Sequence, residues 1–256
     1  MFSSRIIGLG HYVPDNIVTN DDLSEMLNTS DEWIQSRTGI KERRWVTKES
    51  GDTAATMGSK AAKIAIKNAG LKKNDIDFII FATMTPDYYF PGCGVQVQNE
   101  LGLENIGALD VRNQCSGFIY ALSVADKFLK TGTYRNILVI GAELHSGGLD
   151  KTPRGRDVSV IFGDGAGALV LTKKWIDPQL PKQGILSTHL HSDGKYAEEL
   201  AVVGPSPRHG IGKDNHWIKS VQDKPEETFY FPYMNGKSVF KHAVFRFSDV
   251  ITEGLS

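Results

Sequence analysis

The stretch IGALDVRNQCSGFIYALSVADKFLKTG, Ile106 to Gly132, joins a predicted strand to a predicted helix at a cysteine. Before Cys115, small and apolar residues alternate, which is typical of a short buried strand. After it, apolar residues recur at helical spacing: Phe118, Leu122, Ala125 and Leu129. Cys115 is therefore predicted to lie where a strand turns into a helix.

A cysteine in this position has two interpretations. At a helix N-terminus, the unpaired backbone N–H groups and the helix dipole favour a thiolate, which is a nucleophile near neutral pH. A buried structural cysteine instead behaves as a small hydrophobic residue. This stretch by itself leaves both interpretations of Cys115 open.

The composition excludes several classes of function. A chain of 256 residues with 40% hydrophobic and 23% charged residues is ordinary globular material for one large or two small domains. The net charge of −1 gives no global basic field, so nucleic acid is not the expected main partner. Two cysteines form neither a disulfide framework nor a CxxC pair, which fits a reducing cytoplasm. No apolar run is long enough to span a membrane, and we expect a soluble protein.

Apolar runs of strand length alternate with helical patterns in the first part of the chain. Residues 78–83 and 136–142 have the continuous apolar character of strands covered on both faces. Residues 53–69 form an amphipathic helical pattern, and a second helix is predicted from about Gly94 to Leu101. This alternation predicts a mostly parallel sheet with right-handed crossovers. Residues 174–182, with two prolines, resemble a linker between halves.

Three later segments complete the pattern. FGDGAGALVL, 162–171, lacks the elements of a P-loop or dinucleotide fingerprint, so its glycines predict backbone that passes close to a neighbour. GILSTHLH, 184–191, is predicted to be a strand whose two histidines lack a third metal ligand, so no metal site is predicted. The composition of residues 194–230 predicts a long loop. A final helix follows, and five of its apolar residues are predicted to face inward: Val239, Phe240, Val244, Phe247 and Val250.

Three clusters leave alternatives open. Trp33 and Arg37, four apart in a helix capped near Ser30 and stopped by Gly39, could stack on a flat ring such as adenine, or form a packed indole beside a snorkelling arginine. The basic run at 41–44 is a solvated face, or a docking site for phosphate or an acidic partner. The proline-bracketed aromatics suggest a subunit contact or a pocket wall: Tyr88, Tyr89 and Phe90.

Five segments, in order, closely resemble the β-ketoacyl-(acyl-carrier-protein) synthase III family, condensing enzymes of the thiolase superfamily: TSDEWIQSRTGIKERR, QCSGFIYALSVADKFLKTG, RDVSVIFGDGAGALVL, GILSTHLHSDG and MNGKSVFKHAV. The resemblance implies an α/β protein with a pseudo-duplicated, five-layered αβαβα thiolase-like fold. Residues 1–174 would form the first half, with Cys115 as nucleophile. Residues 175–256 would begin the second half and include the long loop 194–230.

The resemblance also assigns roles to individual residues. Cys115 matches the family's acyl-accepting nucleophile. The positions that match the coenzyme A site are Trp33 on the adenine, Arg37 and Thr38 beside it, and Arg156, or less well Arg154, across the ring. Phe90 matches the residue that reaches across a homodimer into the partner's acyl pocket. The candidates for docking the acidic carrier protein are Lys41, Arg43 and Arg44.

The implied activity is that of an acyltransferase. An acyl-CoA primer and malonyl-acyl carrier protein undergo decarboxylating Claisen condensation through an acyl-Cys115 intermediate, and the coenzyme A thioester is a substrate, so no cofactor is expected. Two alternatives remain: a sister condensing enzyme, of head-to-head or quinolone type, and a non-catalytic binder of acyl-CoA or carrier protein.

Two departures from the family pattern stand out. The family's catalytic His lies in a His-Gln-Ala-Asn run that this sequence does not contain, and its other catalytic group is an Asn. None of the late histidines stands in that context: His189, His191 and His242. We therefore expect the chain to be incomplete at its C-terminus. The segment 198–230 is longer than in typical members and could reshape the acyl entrance.

Overall fold

The computed structural model describes residues 2–177, 179, 181–204 and 230–256. The chain divides into two compact units. The first comprises Met1–Asn16, Arg44–Leu144 and Gly163–Leu190, and the second comprises Ile17–Arg43, His145–Phe162 and His191–Ser256. The boundary at 174 predicted from the sequence concerns the two halves of the family fold and stays a prediction.

The strands, in chain order, are β1 (Phe2–Tyr12), β2 (Ile17–Thr19), β3 (Glu42–Arg44), β4 (Phe78–Ala82), β5 (Gly107–Val111), β6 (Asn136–Glu143), β7 (Gly165–Trp175), β8 (Leu200–Ala201) and β9 (Tyr233–Met234). The α-helices are α1 (Asn20–Leu27), α2 (Asp31–Thr38), α3 (Ala54–Asn68), α4 (Cys93–Glu100), α5 (Gly117–Lys130), α6 (Arg156–Ser159) and α7 (Gly236–Leu255). Short 3₁₀ turns cover Lys73–Asp75, Pro153–Gly155 and Gly194–Tyr196.

The first unit contains a five-stranded sheet in the order β1-β7-β6-β4-β5. β4 runs parallel to β5 and β6, whereas β7 runs antiparallel to β6 and to β1. The sheet is therefore mixed, and the prediction of a mostly parallel sheet holds only for strands β5, β4 and β6. β7 re-enters the sheet at the end where β6 stops, since Gly165 pairs with Glu143, and the chain therefore runs back antiparallel to β6.

The core of this unit lies on both faces of the sheet. Alternate residues of β4 enter two apolar clusters, with Ile79 and Phe81 on the α3 side and Phe78 and Ile80 on the α5 side. Every residue of β4 is buried, which explains its unbroken apolar sequence. Each large apolar side chain buried in this way contributes about 1.5 to 3 kcal/mol.

Glycines in β1 allow α3 to approach the sheet closely. A Cβ atom at Gly10 would lie 2.2 Å from the carbonyl oxygen of Ala61, and one at Gly8 would lie 2.2 Å from that of Ala65. Because real Cβ atoms do not come so near a backbone oxygen, larger residues at these positions would push the helix away.

A buried carboxylate, Asp126, ties α5 to β1. It accepts hydrogen bonds from the Ser4 hydroxyl at 2.6 Å and from Lys130 at 2.9 Å, and Lys127 pairs with it at 3.1 Å. Burial acts to raise the pKa of Asp126, but the hydrogen bonds from Ser4, Lys130 and Lys127 outweigh it and hold the pKa below its ordinary value.

We expect Asp126→Ala to lower the free energy of unfolding by about 2 kcal/mol at pH 7, because the buried Ser4 hydroxyl loses its partner while both lysines still reach solvent. A depressed carboxyl pKa stabilises the fold above the unfolded pKa, and this stabilisation is lost as the pH falls below about 4. Urea unfolding at pH 7 and at pH 3 measures the effect. An equal difference between wild type and variant at both pH values would contradict this account of Asp126.

Among its described residues, the second unit contains the two-stranded pairs β2-β3 and β8-β9 and four α-helices. Thr19 caps α1, Ser30 caps α2 by accepting from the Trp33 N–H at 3.1 Å, and Gly39 ends α2 with φ of 72°. The predicted cap near Ser30 and the predicted stop at Gly39 are confirmed. Both follow from side chains and backbone angles that a helix end requires.

Two segments differ from their predictions. Residues 184–191 do not form a strand, because Gly184 has φ of 101° and the regular ladder is replaced by a hydrogen bond from the Ile185 N–H to the Ser4 carbonyl at 3.0 Å. The predicted loop begins with a 3₁₀ turn at Gly194–Tyr196 and then β8, which pairs with β9. The rest of the predicted loop, 205–229, and most of the segment 198–230 lie outside the described residues.

Helix α7 also corrects a prediction. Of the five residues expected to face inward, Val239 and Val250 are half-buried, whereas Phe240, Val244 and Phe247 are 72%, 52% and 66% exposed. The helix forms because its apolar residues recur at helical spacing, but the described part of the chain does not cover that face. Separately, none of the described helices is both long and apolar enough to cross a membrane.

Candidate active site

Cys115 lies in the turn that connects β5 to α5, and its side chain is exposed. β5 ends at Val111 and α5 begins at Gly117, so the cysteine immediately precedes the helix cap Ser116. The Gly117 N–H donates to the Gln114 carbonyl at 2.7 Å and closes the turn. The strand-to-helix position predicted from the apolar spacing is confirmed, and the exposure of the thiol excludes the buried structural interpretation.

The turn opens on a cavity of about 340 Å³ within the first unit. Cys115, Phe118 and Glu143 contribute to its lining, and much of the remaining wall consists of small residues: Ala82, Gly141, Ala142, Gly165, Ala166 and Gly167. These come from the ends of β4 and β6, which run parallel, and from the start of β7. An acyl group of a few carbons could therefore be enclosed beside the thiol, because small side chains leave space and present apolar surface.

The glycines of β7 have two different roles. A Cβ atom at Gly165 would lie 3.2 Å from a Val13 methyl group, as expected for backbone that passes close to a neighbour. At Gly167, by contrast, nothing lies within 4 Å of an added Cβ atom. The prediction of close approach is therefore wrong for Gly167, whose missing side chain leaves cavity space open.

Cys93 differs from Cys115 in its burial. It is fully buried at the start of α4, and its N–H and that of Gly94 donate to the Asp110 carboxylate at 2.6 and 2.8 Å. Burial raises the pKa of the Cys93 thiol to about 12, with further upward contributions from the nearby carboxylates of Asp87, Asp110 and Glu143. Cys93 is therefore an inert structural thiol.

Two arginines lie over the Trp33 ring in the second unit. The guanidinium carbon of Arg37 lies 4.4 Å from the ring centroid, and that of Arg156, from α6, lies 4.6 Å away. Arg154 is directed elsewhere: it donates to Asp150 at 2.6 Å and lies 5.8 Å from the Phe231 ring. Of the two arginines proposed from the resemblance, Arg156 is therefore the one beside the indole.

Thr38 belongs to the same helix as Trp33 and Arg37. Its hydroxyl donates to the Ile34 carbonyl at 2.8 Å and accepts from the Ile40 N–H at 3.1 Å. It thus fixes the end of α2, where the chain turns at Gly39. The two interpretations of Trp33, a stacking surface and a packed indole, both remain compatible with its half-buried side chain.

The basic run 41–44 requires a correction at Arg43. Arg43 is only 6% exposed, its guanidinium donates to the Val18 and Val160 carbonyls at 3.2 and 3.1 Å, and burial lowers its pKa. It therefore cannot present its charge to a carrier protein. The reason is the pleat of β3, which turns residue 43 inward. Lys41 is exposed, and Arg44 donates to the carbonyls of Pro14 and Asp15.

The aromatic loop is exposed at its tip. Tyr88, Tyr89 and Phe90 are 59%, 65% and 82% exposed. Such exposure suits both a subunit contact and the wall of a pocket in a partner subunit, so both interpretations of the loop stay open.

The histidines have ordinary polar and aromatic neighbours. His189 lies 2.9 Å from the Ser187 hydroxyl, His191 lies 2.6 Å from Glu253, and the His242 ring lies 4.0 Å from the Tyr196 ring. Within the described ranges, no group of three or more His, Cys, Asp or Glu side chains is arranged to hold a metal ion.

Among the cavity residues that sequence reasoning did not identify is Glu143. It ends the apolar strand β6, which runs parallel to β4, and it lines the cavity beside Cys115. The sequence does hold a signal for Glu143, an acidic residue directly after a buried apolar strand. Functional groups often lie at the carboxyl ends of parallel strands.

A mixed α/β sheet that presents an exposed cysteine at a helix start, beside a small apolar cavity, is the arrangement expected of the thiolase-like class. The family model for 3-oxoacyl-[acyl-carrier-protein] synthase III matches residues 109–194. The β-ketoacyl-[acyl-carrier-protein] synthase III of Ehrlichia canis (strain Jake) is 44% identical over 256 residues, which are all of this chain and 72% of that protein.

Solved structures agree. Synthase III from Aquifex aeolicus VF5 superposes with a TM-score of 0.77 at 39% identity, over 93% of this chain and 66% of that one. The Pseudomonas aeruginosa PAO1 enzyme gives 0.80 at 30% identity, over 98% of this chain and 69% of that one. The chain belongs to the β-ketoacyl-acyl-carrier-protein synthase III family.

Proposed function

We propose that the protein condenses an acyl-CoA primer with malonyl-acyl carrier protein, with loss of carbon dioxide, and so starts the synthesis of a fatty acid or a related polyketide. The observation that carries the proposal is the exposed Cys115 thiol at the start of α5, opening on the 340 Å³ cavity of small residues. The thiol supplies the nucleophile, and the cavity supplies room for the acyl chain that it accepts.

The acylation step uses groups of this chain. The Cys115 thiolate attacks the thioester carbonyl carbon of the primer, a new carbon–sulfur bond forms, and coenzyme A leaves as its thiolate. Backbone N–H groups around the turn and β7 stabilise the negative oxygen of the tetrahedral intermediate. Covalent capture divides one difficult condensation into two easier steps.

The condensation step follows on the acyl-enzyme. Malonyl-carrier protein loses carbon dioxide, and the electron pair of the broken bond becomes a carbanion. The carbanion attacks the acyl carbonyl carbon, a carbon–carbon bond forms, and the bond to the Cys115 sulfur breaks. In the family a His and an Asn assist this step, and the sequence holds no His-Gln-Ala-Asn run to supply them.

The proposed site for coenzyme A is the group formed by Trp33, Arg37 and Arg156. An indole face suits adenine, and the guanidinium groups of Arg37 and Arg156 supply positive charge for the phosphates of the same molecule. Thr38 holds the helix end on which Trp33 and Arg37 are placed. Coenzyme A acts here as part of the substrate, and the proposed reaction requires no cofactor.

We expect Trp33→Ala to weaken acyl-CoA binding by about 1 kcal/mol, or roughly fivefold in Kd, because one ring stack is lost. Calorimetric titration with acetyl-CoA measures the change. Trp175→Ala is the matched control, since Trp175 is 66% exposed on β7 and packs edge-on against Phe2. An unchanged affinity in Trp33→Ala, with the fold intact, would return Trp33 to the role of a packed indole.

Carrier-protein docking and assembly are assigned to side chains outside the Cys115 cavity. Lys41 and Arg44 are the proposed contacts for the acidic carrier protein, now without Arg43. Phe90 is proposed to enter the acyl pocket of a second copy in a homodimer, as its 82% exposure allows. The two free cysteines support a reducing cytoplasmic location.

Two separate assays test the proposed function. In the first, the protein is incubated with acetyl-CoA and no second substrate, and the release of free coenzyme A measures acyl capture. In the second, malonyl-carrier protein is added, and mass spectrometry of the carrier protein measures condensation. Binding of acetyl-CoA without release of coenzyme A would support the binder alternative, and capture that yields no condensed product would overturn the proposed condensation. The head-to-head and quinolone alternatives are not favoured, because curated relatives at 40% to 45% identity over nearly the whole chain are synthase III proteins.

A further inference from the structure

The loop at residues 83–92, between β4 and α4, has an exposed aromatic tip and ends that are hydrogen-bonded to neighbouring elements. Its tip carries Tyr88, Tyr89 and Phe90, which are all more than half exposed. Exposed apolar side chains on a free loop would tend to collapse onto the surface. The contacts of the loop ends therefore decide where the tip can be.

Glu143, at the end of β6, holds the first end of the loop. One carboxylate oxygen accepts from the Met84 N–H at 3.0 Å, and the other accepts from the Thr85 hydroxyl at 2.5 Å and the Thr83 hydroxyl at 3.3 Å. The Thr85 hydroxyl in turn accepts from the Leu144 N–H at 2.8 Å. Three donors to one carboxylate hold this end of the loop strongly, because hydrogen bonds to charged groups are shorter and stronger than those between neutral groups.

Two further carboxylates fix the rest of the loop. Asp87 accepts from the Thr53 hydroxyl at 2.7 Å and the Ala54 N–H at 2.8 Å, so it binds the loop to the N-terminus of α3. Asp110 on β5 accepts from the N–H groups that open α4, where the loop ends. The loop is thus attached to β6, α3 and β5 through three carboxylates, and its aromatic tip is exposed.

Glu143 is the anchor that also lines the Cys115 cavity. We propose that Glu143 is a positioning residue that holds the Phe90 loop in a fixed place relative to the cavity and so sets the length of acyl chain that Cys115 accepts. This inference rests on the proposed function. Without the carboxylate, the loop end shifts and the cavity loses one wall, so longer primers gain access.

Asp77 provides a matched control. It immediately precedes β4 and accepts from the Arg135 and Asn136 N–H groups at 2.8 and 2.9 Å, so it joins β4 to β6 at the opposite end from Cys115. Asp77→Ala removes a comparable carboxylate clamp between the same two strands. A purely structural role for Glu143 would make the two variants behave alike.

The experiment offers the protein an equimolar mixture of acetyl-, butanoyl- and hexanoyl-CoA and measures the acyl groups on it by intact mass. We expect Glu143→Ala to raise the hexanoyl-to-acetyl ratio about tenfold, the worth of a methylene or two in a fitted pocket, and a lower ratio would contradict the proposal. Asp77→Ala should keep the wild-type ratio while its melting temperature falls by a similar amount. Glu143→Gln should give a hexanoyl-to-acetyl ratio between those of the wild type and Glu143→Ala, because the glutamine amide oxygen still accepts from Met84 or Thr85.

The outcomes separate this inference from the proposed function. Equal ratios in Glu143→Ala, Asp77→Ala and wild type would overturn the positioning role while leaving the proposed function in place. A wild-type chain that takes no acyl group from any of the three thioesters would overturn the proposed function, and this inference with it. Where Glu143→Ala does not fold, Thr85→Val removes the same contact from the loop side, and a wild-type ratio in both Thr85→Val and Glu143→Gln would also overturn the role.

Discussion

At pH 7.5, iodoacetamide is expected to alkylate Cys115 at least about a thousandfold faster than Cys93, because only a thiolate reacts and only an accessible one is reached. Cys115 is exposed, whereas Cys93 is fully buried and its pKa is raised to about 12. More than four pH units below that pKa, fewer than about one Cys93 thiol in ten thousand is ionised. Peptide mapping after a brief, quenched treatment measures both rates.

The same treatment in urea is the control for this prediction. Unfolding removes the burial of Cys93, so both cysteines should then react at similar rates. If Cys93 in the folded chain were modified as fast as Cys115, the assignment of Cys93 as structural and of Cys115 as the accessible nucleophile would be wrong.

Cys115→Ser is expected to lower the rate of acetyl-CoA-dependent release of free coenzyme A by about a thousandfold or more. A hydroxyl at that position is a far weaker nucleophile than a thiol near neutral pH, because it is scarcely ionised at that pH. Chromatographic measurement of free coenzyme A follows the reaction without a thiol reagent. Cys93→Ala should release coenzyme A at the wild-type rate, and loss of activity in Cys93→Ala but not in Cys115→Ser would reverse the assignment.

The parts of the site that depend on local sequence could be predicted. The helical spacing after Cys115 placed it before α5, and the cap and the glycine around α2 placed Trp33 and Arg37 four apart on one helix. Such features are encoded within a few residues, because helix ends need side-chain caps and left-handed backbone.

The parts that depend on tertiary contacts could not be predicted from local pattern. Arg156 is distant from Trp33 in sequence, and only the family resemblance placed it beside the ring. Burial of Arg43 follows from the pleat of a three-residue strand, which is too short to show an alternating pattern. The antiparallel β7 and the open space at Gly167 depend on strand order, which the segments themselves do not specify.

The central claim is that Cys115 accepts the acyl group of an acyl-CoA. The most direct measurement is tandem mass spectrometry of the peptide that contains Cys115 after incubation of the native chain with acetyl-CoA and digestion at mildly acidic pH, which preserves thioesters. The account predicts one acetyl group on Cys115, removable by neutral hydroxylamine as a thioester, and an unmodified Cys93. An acetyl group found only on other residues, or no acetylation while acetyl-CoA binds, would contradict it.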